Sequence, residues 1–123
     1  MLNPMLMCDF YKLSHREQYP TGTEIVYSTL VPRSNNHYQH SDNVVVYGFQ
    51  VFIKKYLIDY FNKEFFDQPK QQVVENYKRI VKYALGKENP PTAHIEKLHD
   101  LGYLPIQIRA LEEGQLLNLV HLF

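Results

Sequence analysis

The sequence predicts a small α+β domain in which amphipathic helices pack on short antiparallel strands and the chain ends in a C-terminal hairpin. Three observations carry that reading. Apolar residues recur at three and four through Phe49, Phe52, Ile53, Tyr56, Leu57, Tyr60 and Phe61, and again through Val73, Val74, Tyr77, Ile80, Val81 and Ala84, the spacing of a helix face turned to a core. β-Branched runs at 24–31 and 44–47 are bounded by Pro, Gly or polar residues, as strands are. Over 104–110 the period changes to two, with Ile106, Ile108 and Ala110 set against Gln107 and Arg109.

Taken in order, Asp9 is placed to cap a helix reaching about Gln18, its carboxylate accepting from the free amides of the first turn. Pro20 ends that helix, because its ring pushes Tyr19 out of the helical region. Tyr11 and His15 are four apart and share a face, with Lys12 and Arg16 on the next stripe. A turn at Pro20 to Thr23 leads into the expected strand 24–31, which Pro32 breaks. Residues 34–43 are polar and read as a loop, and 44–47 as a short strand. The helix from Gly48 carries the first apolar face. A second helix is expected over 70–85, stopped by Gly86. Pro90 and Pro91 form a rigid link to a short helix from Thr92 to His99, closed near Gly102. The strand 104–110 then turns through Glu112, Glu113 and Gly114 into a second run, 115–123, to complete the hairpin. The chain stops inside that run, so its open apolar edge calls for a partner copy or for further sequence, and self-association through the edge is expected.

The 123 residues are 45% hydrophobic, enough for one core and hence one domain. Lys plus Arg and Asp plus Glu are 13 each, so no overall field favours nucleic acid or anionic lipid. The single cysteine, Cys8, rules out an internal disulfide and any cysteine-based zinc pattern, and makes a cytoplasmic location the default. The apolar start lacks a basic leader, and no apolar run reaches spanning length, so no membrane association is expected. Ten Tyr and seven Phe with no Trp point to interfaces and half-open pockets as well as cores, since tyrosine joins an apolar body to a polar tip.

The first thirty-three residues concentrate the chemistry. Asp9, Tyr11, Lys12, His15 and Arg33 are more polar than a helix at the start of a domain requires. The run from Asn3 to Leu6, then Asp9, Tyr11-Lys12, Ser14-His15, Gln18-Tyr19-Pro20 and Thr23, resembles the N-terminal motif of the nicotinamide phosphoribosyltransferase family. The likeness continues in order through Val26 to Arg33, Tyr47-Gly48-Phe49-Gln50, and Leu104 to Ala110 with Glu113-Gly114. Two departures stand inside it: Phe10 where the family is usually small, and Cys8 where it commonly has Thr. After Gly114 only the apolar character of the family strand is kept.

The resemblance implies a pentosyltransferase that forms nicotinamide mononucleotide from nicotinamide and phosphoribosyl pyrophosphate, in pyridine nucleotide salvage for NAD. It implies a homodimer in which this segment reaches the barrel of the other subunit. Tyr11 would stack on the nicotinamide ring, Asp9 would sit beside the base, and Arg33 would approach the donor phosphates. Such roles suit a planar electron-poor ring and a pyrophosphate. No catalytic residue is assigned here, and no cofactor is expected to bind this segment, although Mg²⁺ is expected for the complete enzyme. The family's catalytic α/β barrel is absent from these residues, which are expected to be one N-terminal domain over 1–123, a fragment or truncation, inactive alone. The alternative is a free-standing interaction or regulatory module derived from that domain, without catalysis.

Plainer roles stand beside these. Tyr11 could be a half-buried helix tyrosine, Asp9 an N-cap and nothing more, and Arg33 a surface cation. His15 is read as structural. His37, His40 and Asp42 have a spacing a metal could use but no fourth ligand nearby. His94 and His99, five apart, do not share a helix face. Cys8 is read as a small apolar filler.

Overall fold

The structure, a computed structural model, describes residues 3–34, 36, 38 and 40–119. A nine-residue 3-10 helix, Phe10–Gln18, follows a single 3-10 turn at Pro4–Leu6. Strand β1 is Asn43–Val45, and helix α1 is Phe49–Phe52. The winding from α1 continues into π-helical turns over Ile53–Tyr60 and Asn62–Phe66. Helices α2, Lys70–Leu85, and α3, Ala93–Leu101, come next, and strand β2 is Leu116–Asn118. The α+β class holds, with short antiparallel strands and amphipathic helices. Among the described residues no helix is long and apolar enough to cross a membrane.

The core gathers where the last π-helical turn meets α2 and α3. Phe65, Val73 and Ile95 are fully buried, with Leu6, Tyr77 and Val81 beside them. Val73, Tyr77 and Val81 are four apart, so α2 turns one stripe inward, and Val74 and Ile80 flank it while Ala84 lies exposed. Both expected glycine stops are present, Gly86 at φ +65° and Gly102 at φ +76°, a left-handed region in which a side chain would be strained. Gly102 N–H closes α3 on the carbonyls of Leu98 and His99.

The apolar face expected from Phe49 to Phe61 is only half covered, and Phe52 and Tyr56 are exposed. A spacing of three and four draws one stripe on an α-helix, but π winding bonds each amide one residue further back and spreads the same positions around the helix. The fully buried aromatic of this stretch is Phe65, one four-residue step beyond the last position of the expected face, edge-on to Phe66 with ring centroids 5.0 Å apart.

The C-terminal hairpin is not formed between the two runs assigned to it. Residues 104–110 carry no strand, and β2 pairs with β1, antiparallel, in the register Asn43 with Asn118, Val44 with Leu117 and Val45 with Leu116. The ladder extends through Val46 N–H to Gln115 O at 2.9 Å and Gly114 N–H to Val46 O at 2.7 Å. The Glu112 to Gly114 turn is retained, but it delivers the chain to a strand some seventy residues back. There Glu113 Oε1 accepts from Gln50 N–H at 2.9 Å, placing a carboxylate at the positive end of α1. The strand expected at 24–31 is also not formed: these residues follow an exposed, irregular path, because a strand's amides need a ladder that nothing described supplies. The far end of the second run, 120–123, lies outside the described residues.

Candidate functional site

The short turn Pro4–Leu6 ties the start of the chain to α2. Asn3 is fully buried. Its Oδ1 accepts from Met5 N–H at 3.0 Å, capping the turn, and its Nδ2 donates to Val73 O at 3.4 Å. Leu6 enters the core beside these contacts.

Beyond that anchor, Asp9 opens the 3-10 helix but makes no side-chain cap. The expected carboxylate cap is replaced by a backbone bond, Lys12 N–H to Asp9 O at 2.9 Å. The carboxylate instead faces Lys12 Nζ at 3.8 Å, an exposed pair of small energetic weight. One residue into the helix, Tyr11 is 60% exposed, with the His15 ring 5.5 Å away and tilted 58°. Ser14 Oγ donates to Tyr11 O at 2.7 Å and Gln18 Nε2 to Ser14 Oγ at 3.5 Å. The aromatic face is thus presented outward, flanked by an imidazole and, 6.0 Å from its centroid, the Lys12 ammonium. Such a face can stack on a planar ring.

Arg33 stands past the extended run, exposed and without an ion pair among the described residues. No described hydrogen bond or ring contact joins it to Asp9 or Tyr11. Asp9 and Tyr11 are neighbours at the start of one helix, and no described contact links Arg33 to either.

Several polar contacts carry no sequence signal. Two turns further along the 3-10 helix, Lys87 Nζ donates to both carboxylate oxygens of Glu17, at 2.7 and 2.6 Å. That hydrogen bond and the ammonium charge hold the Glu17 carboxyl below its usual range. Beside it Tyr77 Oη lies 3.3 Å from His94 Nε2. Burial, reinforced by Arg16, pushes the His94 imidazole down, and burial pushes the Tyr77 phenol up. His99 is engaged elsewhere, Nε2 to Gln68 O at 2.8 Å; a carbonyl only accepts, so that nitrogen carries the proton. Burial also raises the Cys8 thiol, outweighing the opposing pull of Lys12. His37 lies outside the described residues, so the His37, His40 and Asp42 spacing is not described as a unit.

Against known proteins, the family model described as nicotinamide phosphoribosyltransferase, N-terminal domain, matches residues 3–108. The chain belongs to this family. It is 47% identical to the nicotinamide phosphoribosyltransferase of Acinetobacter baylyi, an alignment covering 96% of this chain and 24% of that relative. The chain thus spans about a quarter of the length of the curated relative it matches. No solved structure matches it. The matched range of this chain, 3–108, includes Asp9, Tyr11 and Arg33, and also Glu17, Tyr77, Lys87 and His94.

Proposed function

We propose that this chain is a single N-terminal domain, 1–123, of a cytoplasmic enzyme that joins nicotinamide to phosphoribosyl pyrophosphate. The pyridine nitrogen forms its bond to ribose C1 as the bond from C1 to pyrophosphate breaks, giving nicotinamide mononucleotide for NAD salvage. In this reading Tyr11 stacks on the nicotinamide ring at a homodimer interface, Asp9 lies beside the base, and Arg33 reaches the donor phosphates from its exposed position. The reacting machinery lies outside these residues, and the domain is inactive alone.

The observation that carries the reading is the outward Tyr11 face on a helix tied to the body, inside a segment that matches the family from residue 3 to 108. A stacking residue offered to a partner must be open on its own subunit and fixed from behind. The exposed course of residues 24–31 and 104–111, with Ile25, Tyr27, Leu30, Ile106 and Ile108 open, supports completion by further protein, since bare strand-forming segments are pairing sites. Mg²⁺ is assigned to the complete enzyme, and no step here runs through it. This segment contributes binding and orientation.

The test is a fusion in which this chain replaces the matching quarter of the Acinetobacter baylyi relative. Nicotinamide mononucleotide should form in the fusion and not with the chain alone. Tyr11→Ala should raise the nicotinamide KM on the order of 10-fold or more, the effect of losing about 1–3 kcal/mol of stacking. A fusion with full activity and an unchanged KM on Tyr11→Ala would remove Tyr11 from the site. A fusion that folds and binds but forms no product would favour the module without catalysis.

A further inference from the structure

The helix that carries Tyr11 is poorly able to fix its own position. It is a 3-10 helix of nine residues with none buried, and 3-10 hydrogen bonds are weak enough that runs beyond three or four residues are uncommon. Its place therefore depends on what grips it. At its start the grip is the Asn3 and Leu6 anchor on α2. Along its length Leu13 packs against the core cluster, and near its end Glu17 meets Lys87.

The Glu17 contact has the features of a positioning device. Lys87 directly follows Gly86, whose left-handed conformation stops α2, so it stands one residue past the helix cap, at the start of the connection to Pro90 and Pro91. Both carboxylate oxygens are engaged, at 2.7 and 2.6 Å, and the two side chains are only 33% and 46% exposed. Both oxygens meet the one ammonium nitrogen, a charge-assisted contact that fixes the distance between helix end and body. Leu13, Arg16 and Glu17 close with Tyr77, Lys87 and His94 on one narrow crevice, so the pair sits at a seam between the helix and the body. The partners are 70 residues apart in sequence, which makes the contact tertiary rather than local.

We infer that the Glu17 and Lys87 ion pair is the positioning clasp for Tyr11, setting the presentation of its ring to the base. The inference rests on the reading of Tyr11 as the base-stacking residue. A stack tolerates little displacement, since misplacement by about 1 Å can cost on the order of 100-fold in rate. Glu17 and Lys87 themselves touch no substrate.

The experiment compares Glu17→Lys, Lys87→Glu and the double exchange Glu17→Lys with Lys87→Glu. In the full 123-residue chain, amide exchange over residues 12–18 should quicken about two- to five-fold in each single variant, the range for a partly exposed ion pair, and return in the double exchange. Protection over residues 73–81 should stay constant, which separates a loosened helix from an unfolded chain, and Glu17→Gln should fall between. In the fusion with the Acinetobacter baylyi relative, the single variants should raise the nicotinamide KM and the double exchange should restore it, with the phosphoribosyl pyrophosphate KM unchanged. A merely structural contact would shift both KM values or neither. Unchanged exchange in the single variants, or no recovery in the double exchange, overturns the clasp. If Tyr11→Ala leaves the nicotinamide KM untouched while exchange is lost and regained as expected, it is the base-stacking reading that fails, and with it the functional half of this inference.

Discussion

Residues 65–95 and residues 24–31 both carry large apolar side chains, yet the first stretch makes the core and the second lies open. Phe65, Val73 and Ile95 are fully buried, whereas Ile25, Tyr27 and Leu30 are 84%, 88% and 85% exposed. The difference is where the backbone finds its hydrogen bonds. A helix satisfies its amides within itself, so an apolar stripe can be buried as soon as two helices touch. A strand finds partners only in another strand, so residues 24–31 stay unpaired whatever their side chains prefer. Hydrophobicity proposes burial, and backbone satisfaction decides which segments reach it.

The largest effect should come from the packed side of that contrast. Phe65→Ala should destabilise the chain by about 3–5 kcal/mol, read as a fall in the urea midpoint, while Tyr27→Ser should move it by less than about 0.5 kcal/mol. A large loss at Tyr27 would mean that residues 24–31 are covered in solution. Next comes the anchor that links the N-terminal turn to α2: Asn3→Ala should cost about 0.5–2 kcal/mol, typical for a lost cap, by the same measurement. An unchanged midpoint would remove Asn3 from the support of the Tyr11 helix.

A smaller and conditional effect involves His94, whose folded imidazole is held below the ordinary value of 6.5. The unfolded chain then binds the proton first, so this contribution to stability is complete above 6.5 and is lost as pH falls through the lowered folded value. The groups facing it are Tyr77 of α2 and Arg16 and Glu17 of the 3-10 helix. A urea midpoint that declines from pH 7 to 5 should flatten in His94→Gln. An equal slope in both chains would assign the acid loss elsewhere. Glu17, with its folded value lowered, adds a loss only at more acidic pH, below 4.5.

How far the sequence could be read follows the same division. Helices α2 and α3 and their glycine stops were legible because period, Gly86 and Gly102 are local signals. Phe65 was not singled out, although it stands four residues after Phe61 and continues the same spacing; its full burial depends on α2 and α3 packing over it. The Glu112 to Gly114 turn was legible, but not the strand it serves: residues 104–110 offered a nearer and better alternating partner than β1. At the candidate site Tyr11 was singled out with its neighbour His15, and the structure places their rings together. The carboxylate cap expected of Asp9 was not made; the helix opens on Asp9's backbone carbonyl, which accepts from Lys12 N–H.

The sequence by itself determined the α+β class, the two inward-facing helices with their stops, and membership of the family through a motif that starts at Asn3. Each of these is written in residues near one another or in fixed order. Only the tertiary structure decided that β2 pairs with β1, that Glu113 caps α1, and that Lys87 reaches across the fold to Glu17. Those contacts join residues about 60 to 75 positions apart, and no spacing rule reaches that far: they exist because the packing of the helices holds the distant groups within hydrogen-bonding distance.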